Sequence, residues 1–151
     1  MTQENKELLL KDLCARLPYG VKVSKVVEDW ISDSRPIRSI NLNNIIVEDG
    51  EFEDGTPDID VWAYEDFKPY LFPMSSMTHE QRKELIAYAG YERREEDVGY
   101  HSETYYYDLV GHENILYPNS DAIDWLNKNH FDYRGLIEKG LAIDATGLNI
   151  Y

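Results

Sequence analysis

The chain has 151 residues, 42% of them hydrophobic, and a formal net charge of -14 at pH 7. That length and apolar content fit one folded domain with a core of its own and exclude a disordered tail. The charge opposes a phosphate backbone at long range, so a general DNA or RNA binder is excluded.

No apolar run approaches the ~20 residues a membrane span needs. The opening "MTQENKELLLKDL" has no basic patch ahead of an apolar stretch and does not read as a signal peptide. Cys14 is the single cysteine, which excludes an internal disulfide and a multi-cysteine zinc site within one chain. Its position in an apolar helix pattern reads as a small core residue in a reducing cytoplasm, with a catalytic thiol as the alternative.

Residues 4–17 read as a helix with Thr2 as N-cap. Leu9, Leu13 and Leu17 are spaced by four, and Leu10, Cys14 and Leu17 widen the stripe. Pro18 stops it and Gly20 opens the next element. Val21 to Val27 alternates like a half-buried strand, which Trp30 and Ile31 continue beyond a bend at Glu28–Asp29. Residues 37–47 read as a second strand, broken at Asn43–Asn44. "EDGEFEDGTPD" holds two Asp-Gly pairs, either of which suits a hairpin turn. Ile59 to Tyr64 reads as a third strand with Ile59, Val61 and Ala63 on one face.

"FKPYLFPMSSM" reads as a packed connector, assigned to residues 68–77. Thr78 and Gln81 have the spacing of a capping box, starting a helix that runs to about Ala89 before Gly90. Residues 104–109 have strand composition. Ser120 or Asn119 caps a helix whose Ile123, Trp125 and Leu126 face inward. In "HFDYRGLIEKGLAID", Asp132 suits the cap of a short helix from Tyr133 to Lys139, with Gly140 as its terminator. His130, Tyr133 and Arg134 are left over, either to lock the C-terminal helices together or, for Arg134, to hold a ligand. The expected architecture is α+β in a single domain, residues 1–151. Residues 1–67 form a helix and a small antiparallel sheet, for which an SH3-like form is one option, and residues 78–151 are mainly helical.

Chemical motifs are mostly missing. The chain has no phosphate-binding glycine loop, no dinucleotide fingerprint and no nucleophile elbow. "GHEN" is half of a zinc protease motif, but the second histidine would fall on Leu116. His101, Glu103, Asp108 and His112 match no standard metal spacing and read as scattered surface groups.

Two clusters remain. Glu48 to Asp66 holds nine acids in nineteen residues, and no lysine or arginine lies between Arg38 and Lys68. Glu51, Glu53, Asp54, Asp58 and Asp60 make this a solvated turn, a mimic of DNA phosphates that meets a basic protein, or a weak calcium loop, although the EF-hand register is absent. Arg93 and Arg94, with Tyr105, Tyr106 and Tyr107, form the only aromatic and arginine cluster. Tyrosine stacks on bases and arginine grips phosphate at two points. The plain alternative is that the arginines neutralise Glu92, Glu95, Glu96 and Asp97.

"KDLCARLPYGVKV", "FKPYLFPMSSMT" and "DWLNKNHFDYRGLIEKGLAID" resemble blocks in uncharacterised small proteins of Bacteroides and related gut bacteria, often encoded by phages or prophages. The resemblance implies a phage setting and carries no site residue. It favours an accessory protein that counters host defence from the host cytoplasm by binding. In its sharpest form the protein sequesters a nucleotide signal, with Tyr105, Tyr106 and Tyr107 stacking the base and Arg93, Arg94 or Arg134 holding phosphate, in a homo-oligomer. The alternatives are an acidic inhibitor of a basic host protein, working through Glu51, Glu53, Asp54, Asp58 and Asp60, and a plain interaction module. No catalytic residue, cofactor or metal is expected, because no nucleophile–base or metal constellation is visible.

Overall fold

A computed structural model describes residues 1–27, 30–88 and 120–151. The class is α+β, as the sequence indicated. Helix α1 (Gln3–Arg16) is followed by strands β1 (Lys22–Val27), β2 (Trp30–Ile31), β3 (Arg35–Ile40), β4 (Asn44–Glu51), β5 (Pro57–Ala63) and β6 (Phe67–Leu71). Helices α2 (His79–Tyr88) and α3 (Ser120–Lys128) come next, then strand β7 (Ile143–Asp144). No helix among the described residues is long and apolar enough to cross a membrane.

The strands form one sheet in the order β5-β4-β3-β1-β6-β7, with β2 paired to β1. All pairs are antiparallel except β6 with β7. Helix α1 begins where Thr2 Oγ1 accepts the Asn5 N–H at 3.2 Å. It lays Leu9 and Leu13 against Val21, Val23, Ile37, Ile45, Val47, Trp62, Tyr64 and Phe67. Burying each of these leucines contributes about 1.5–3 kcal/mol. A second core joins Met77, Leu85, Ala122, Trp125, Leu126 and Phe131, with Trp125 and Phe131 stacked at 5.8 Å.

The buried stripe of α1 is Leu9, Asp12, Leu13 and Arg16, spaced i, i+3, i+4, i+7. It lies one step around the helix from the stripe read through Leu10 and Cys14, so Cys14 is exposed and not a core residue. The helix ends at Leu17, whose N–H reaches Leu13 O, and Pro18 and a left-handed Gly20 (φ +69°) turn the chain into β1.

Three further expectations change. Trp30 and Ile31 do not extend β1. They fold back on it, with Val26 opposite Ile31 and Val27 opposite Trp30. Residues 68–71 are not connector but belong to β6, an inner strand between β1 and β7. Residues 133–139 form turns and no helix, although the Asp132 carboxylate still accepts the Leu136 and Ile137 N–H groups at 2.9 and 2.7 Å. Leu141 N–H closes on Leu136 O and Gly140 N–H on Ile137 O, with Gly135 and Gly140 both at positive φ, so a left-handed residue bounds the segment on each side and leaves it too short for a regular helix. The capping box does form. Gln81 Oε1 accepts Thr78 N–H at 2.8 Å, and Thr78 Oγ1 accepts Gln81 N–H at 3.2 Å.

Of the two Asp-Gly pairs, the second makes the β4–β5 turn. Phe52 N–H bonds Thr56 O at 2.8 Å, and Gly55 takes the left-handed conformation (φ +78°) that ends a three-residue loop. The first pair sits at a bulge in β4, where the register shifts between Glu48 and Gly50.

The last residues also pack. Tyr151 Oη donates to Tyr70 O at 2.8 Å and accepts Lys22 N–H at 3.2 Å, so the phenol bridges β1 and β6 where their own ladder ends at Val23–Pro69. Burial pushes this phenol up to about 12. Tyr151→Phe keeps the ring but leaves both main-chain groups without this partner. We expect a loss of about 1–3 kcal/mol in urea unfolding at neutral pH.

Candidate functional site

Two clusters of polar side chains stand out, one buried and one exposed. The buried cluster centres on Asp12. Its carboxylate receives Arg16 Nε at 2.7 Å, Arg16 Nη2 at 3.0 Å and Arg134 Nη1 at 2.8 Å. Arg16 also donates to Phe131 O at 2.7 Å and Leu126 O at 3.4 Å. Asp12 and Arg16 are fully buried. The Tyr133 ring lies under the Arg134 guanidinium at 4.4 Å, and its hydroxyl donates to Asn127 Oδ1 at 3.0 Å. The cluster therefore ties α1 to the end of α3 and to the segment after it. His130 stands beside it in a left-handed conformation (φ +58°), 5% exposed, with its ring stacked on Tyr151 at 3.8 Å. Nδ1 of His130 has no hydrogen-bond partner among the described residues. Burial, and then the Arg16 charge, lower its pKa to about 4.

Of the residues assigned to a nucleotide, Arg93, Arg94, Tyr105, Tyr106 and Tyr107 lie outside the described residues. So does the strand composition at 104–109 and the scattered set His101, Glu103, Asp108 and His112. Arg134 is described, and its guanidinium is engaged by Asp12 and Tyr133. Among the described residues, no group of three or more His, Cys, Asp or Glu side chains is placed to hold a metal.

The exposed cluster forms one end of the sheet. Val23 pairs with Arg35, and Ile37 pairs with Val47. From those levels β1 runs on to Val27 and β4 runs on to Glu51 in the same direction, so the β1–β2 and β4–β5 hairpins project from the same end. Both carry large apolar side chains in solvent. Trp30 is 59% exposed and Phe52 56%, and Val27 and Ile31 are also exposed.

All five acids named from the sequence belong to the β4–β5 hairpin. Glu51 ends β4 opposite Pro57, Glu53 and Asp54 lie in the turn, and Asp58 pairs with Gly50. Two of the five shape the hairpin itself. Asp54 Oδ1 accepts Thr56 Oγ1 at 2.6 Å and Thr56 N–H at 2.9 Å, bonds that hold its carboxyl below the usual carboxylate range. Asp60 Oδ2 accepts Trp62 Nε1 at 2.6 Å and its Oδ1 accepts Val61 N–H at 2.8 Å. The Trp62 bond is the main cause of its lowered pKa, with Lys25 and Arg35 adding to it. Glu51 and Glu53 remain as exposed charge, and Asp58 is half-buried on the same face as Asp60.

The face that carries Ile59, Val61 and Ala63 is the outer one. Ile59 and Val61 are 48% and 54% exposed, while Trp62 on the opposite face is buried. Sequence reading placed those three residues together, and the side they face is set by Trp62 and Tyr64 filling the core. It missed Asp12 and Arg16, although their spacing from Leu9 and Leu13 marks the same stripe.

No family model, no curated protein and no solved structure matches the chain.

Proposed function

We propose that the protein is a binding module that engages a basic partner protein through the hairpin end of its sheet. The observation that carries this reading is the combination, at one end, of exposed Trp30 and Phe52 with the exposed acids Glu51 and Glu53 and the half-buried Asp58. Aromatic anchors rimmed by charge are the make-up of a protein interface, where the rings bury area and the rim sets approach rate and partner choice. A net charge of -14, with no lysine or arginine from Ser39 to Phe67, directs that preference toward a cationic surface. In the phage setting that the sequence resemblance implies, such a partner is a host protein whose basic face normally meets nucleic acid, and occupying that face inhibits it. The nucleotide reading takes second place because Arg134, its one described residue, is engaged by Asp12.

Titration against purified DNA-binding proteins of high isoelectric point tests this, with an equally basic protein that binds no nucleic acid as the control. The triple variant Glu51→Gln, Glu53→Gln, Asp58→Asn spares Asp54 and Asp60, which shape the hairpin. It should weaken binding at least ~10-fold at low salt and flatten the salt dependence. Trp30→Ala should weaken binding by a similar ~10-fold without changing the salt slope. Unchanged affinity in both variants rejects the reading.

A further inference from the structure

Strand β5 ends the sheet, and among the described residues it pairs with β4 alone. In an antiparallel ladder, alternate residues turn both their N–H and C=O away from the neighbour. Val61 is one of these, because its N–H goes to the Asp60 carboxylate at 2.8 Å. Ala63 is another, because its carbonyl accepts Asp66 N–H at 3.0 Å in the turn to β6. Ile59 shares their phase. Among the described residues, the side of β5 away from β4 is therefore an open main-chain edge at Ile59 and Val61. Pro57 at its start and the Asp60 cap over Val61 both limit indiscriminate pairing.

The side chains along this edge alternate in chemistry as well as in direction. Ile59 and Val61 form an exposed apolar outer face. Asp58 and Asp60 turn to the other face, where Asp60 meets the indole N–H of Trp62.

We infer that the basic partner of the proposed function enters as an extended segment, adding an antiparallel strand to the open edge of β5. Basic and β-branched apolar residues alternate along that segment. Its apolar side chains continue the Ile59–Val61 face, and its cations lie beside Asp58 and Asp60. A cation beside Asp60 draws the carboxylate off Val61, and the freed N–H donates to a carbonyl of the incoming strand. The cap thus works as a selective gate, because a strand without a cation leaves it closed. A second copy of this chain is a poor occupant. Antiparallel pairing of two β5 strands sets Asp58 and Asp60 of one against those of the other, and like charges across a strand pair repel.

The inference rests on the reading of the hairpin end as a site for a basic protein, and the experiment separates the two. Three peptides of equal composition are titrated against the full chain by calorimetry. One alternates lysine or arginine with valine over eight residues, one carries the same residues in two blocks, and one is the alternating peptide with N-methyl groups on every second backbone amide. The alternating peptide should bind at least ~10-fold more tightly than either control and should slow hydrogen exchange at Val61. Val61→Pro removes the edge N–H, and Val61→Lys keeps it but places a cation on the apolar face. Each should erase the preference for the alternating peptide, with circular dichroism confirming that the fold persists. Equal binding of all three peptides overturns strand addition. So does an unchanged preference in both Val61 variants. If the basic proteins bind and the alternating peptide does not, the edge is the wrong place and the hairpin-end reading stands. If neither proteins nor peptides bind, both readings fall.

Discussion

Asp12→Ala should lower folding stability by about 3–5 kcal/mol, the largest effect expected from any single substitution outside the apolar cores. Asp12 is the common acceptor of two guanidinium groups at 2.7 to 3.0 Å. Without it Arg16 stays fully buried, its hydrogen bonds among the described residues reduced to Phe131 O and Leu126 O, with the Tyr133 ring 5.5 Å away. Two carbonyl contacts do not neutralise a cation removed from water, so the cost is that of a buried charge left alone and not merely of a lost ion pair. Asp12→Leu with Arg16→Met should be milder than Asp12→Ala alone, because it removes the stranded charge and keeps the volume filled. Urea unfolding at pH 7 measures all three chains. A single variant within about 1 kcal/mol of the unaltered chain would contradict the geometry.

His130 governs the second prediction. Its folded pKa, about 4, lies below the ordinary histidine value of 6.5. Burial is the main cause, and the positive charges of Arg16 and Lys22 act in the same sense. Asp12 and a hydrogen bond with the Tyr19 backbone oppose them. The unfolded chain therefore takes up a proton at this residue before the folded chain does. The stability that His130 contributes is complete above about pH 6.5 and is lost progressively as pH falls toward 4. A separation of this size corresponds to about 3 kcal/mol across the window. His130→Asn tests it, since asparagine tolerates the positive φ and does not titrate. Urea midpoints from pH 7 to pH 4.5 should decline more steeply for the unaltered chain than for the variant. Carboxylates titrating below pH 5 affect both chains, so the difference between the two curves isolates the histidine. Parallel curves would show that His130 is not the group responsible.

How far the chain could be read in advance varies by element, for physical reasons. Thr2 and the Thr78–Gln81 box stand where they were expected because a cap bonds within three residues and needs no distant partner. The acidic run was visible as charge, but Asp54 and Asp60 turned out to hold their own hairpin, which becomes evident only once Thr56 and Trp62 are placed around them. Trp30 and Ile31 carry strand-forming side chains, and propensity does not say whether a strand continues or reverses. Strand β6 contains Pro69, and a proline disfavours an inner strand because it has no N–H for the ladder. Its register opposite Val23 shows that the pairing tolerates the missing N–H there.

Local sequence alone determined the α+β class, the ends of α1, the start of α2, the Asp-Gly hairpin and the surplus of negative charge. Each depends on neighbours a few residues apart, or on composition. Tertiary structure decided which side of α1 and of β5 faces the core, because helix and strand periodicity define a face but not its direction. It also decided that Asp12, Arg16 and Arg134 share one buried cluster. Arg16 and Arg134 are separated by most of the chain, and only the packing of α1 against α3 and its following turn supplies the carbonyls that make burying their charge tolerable.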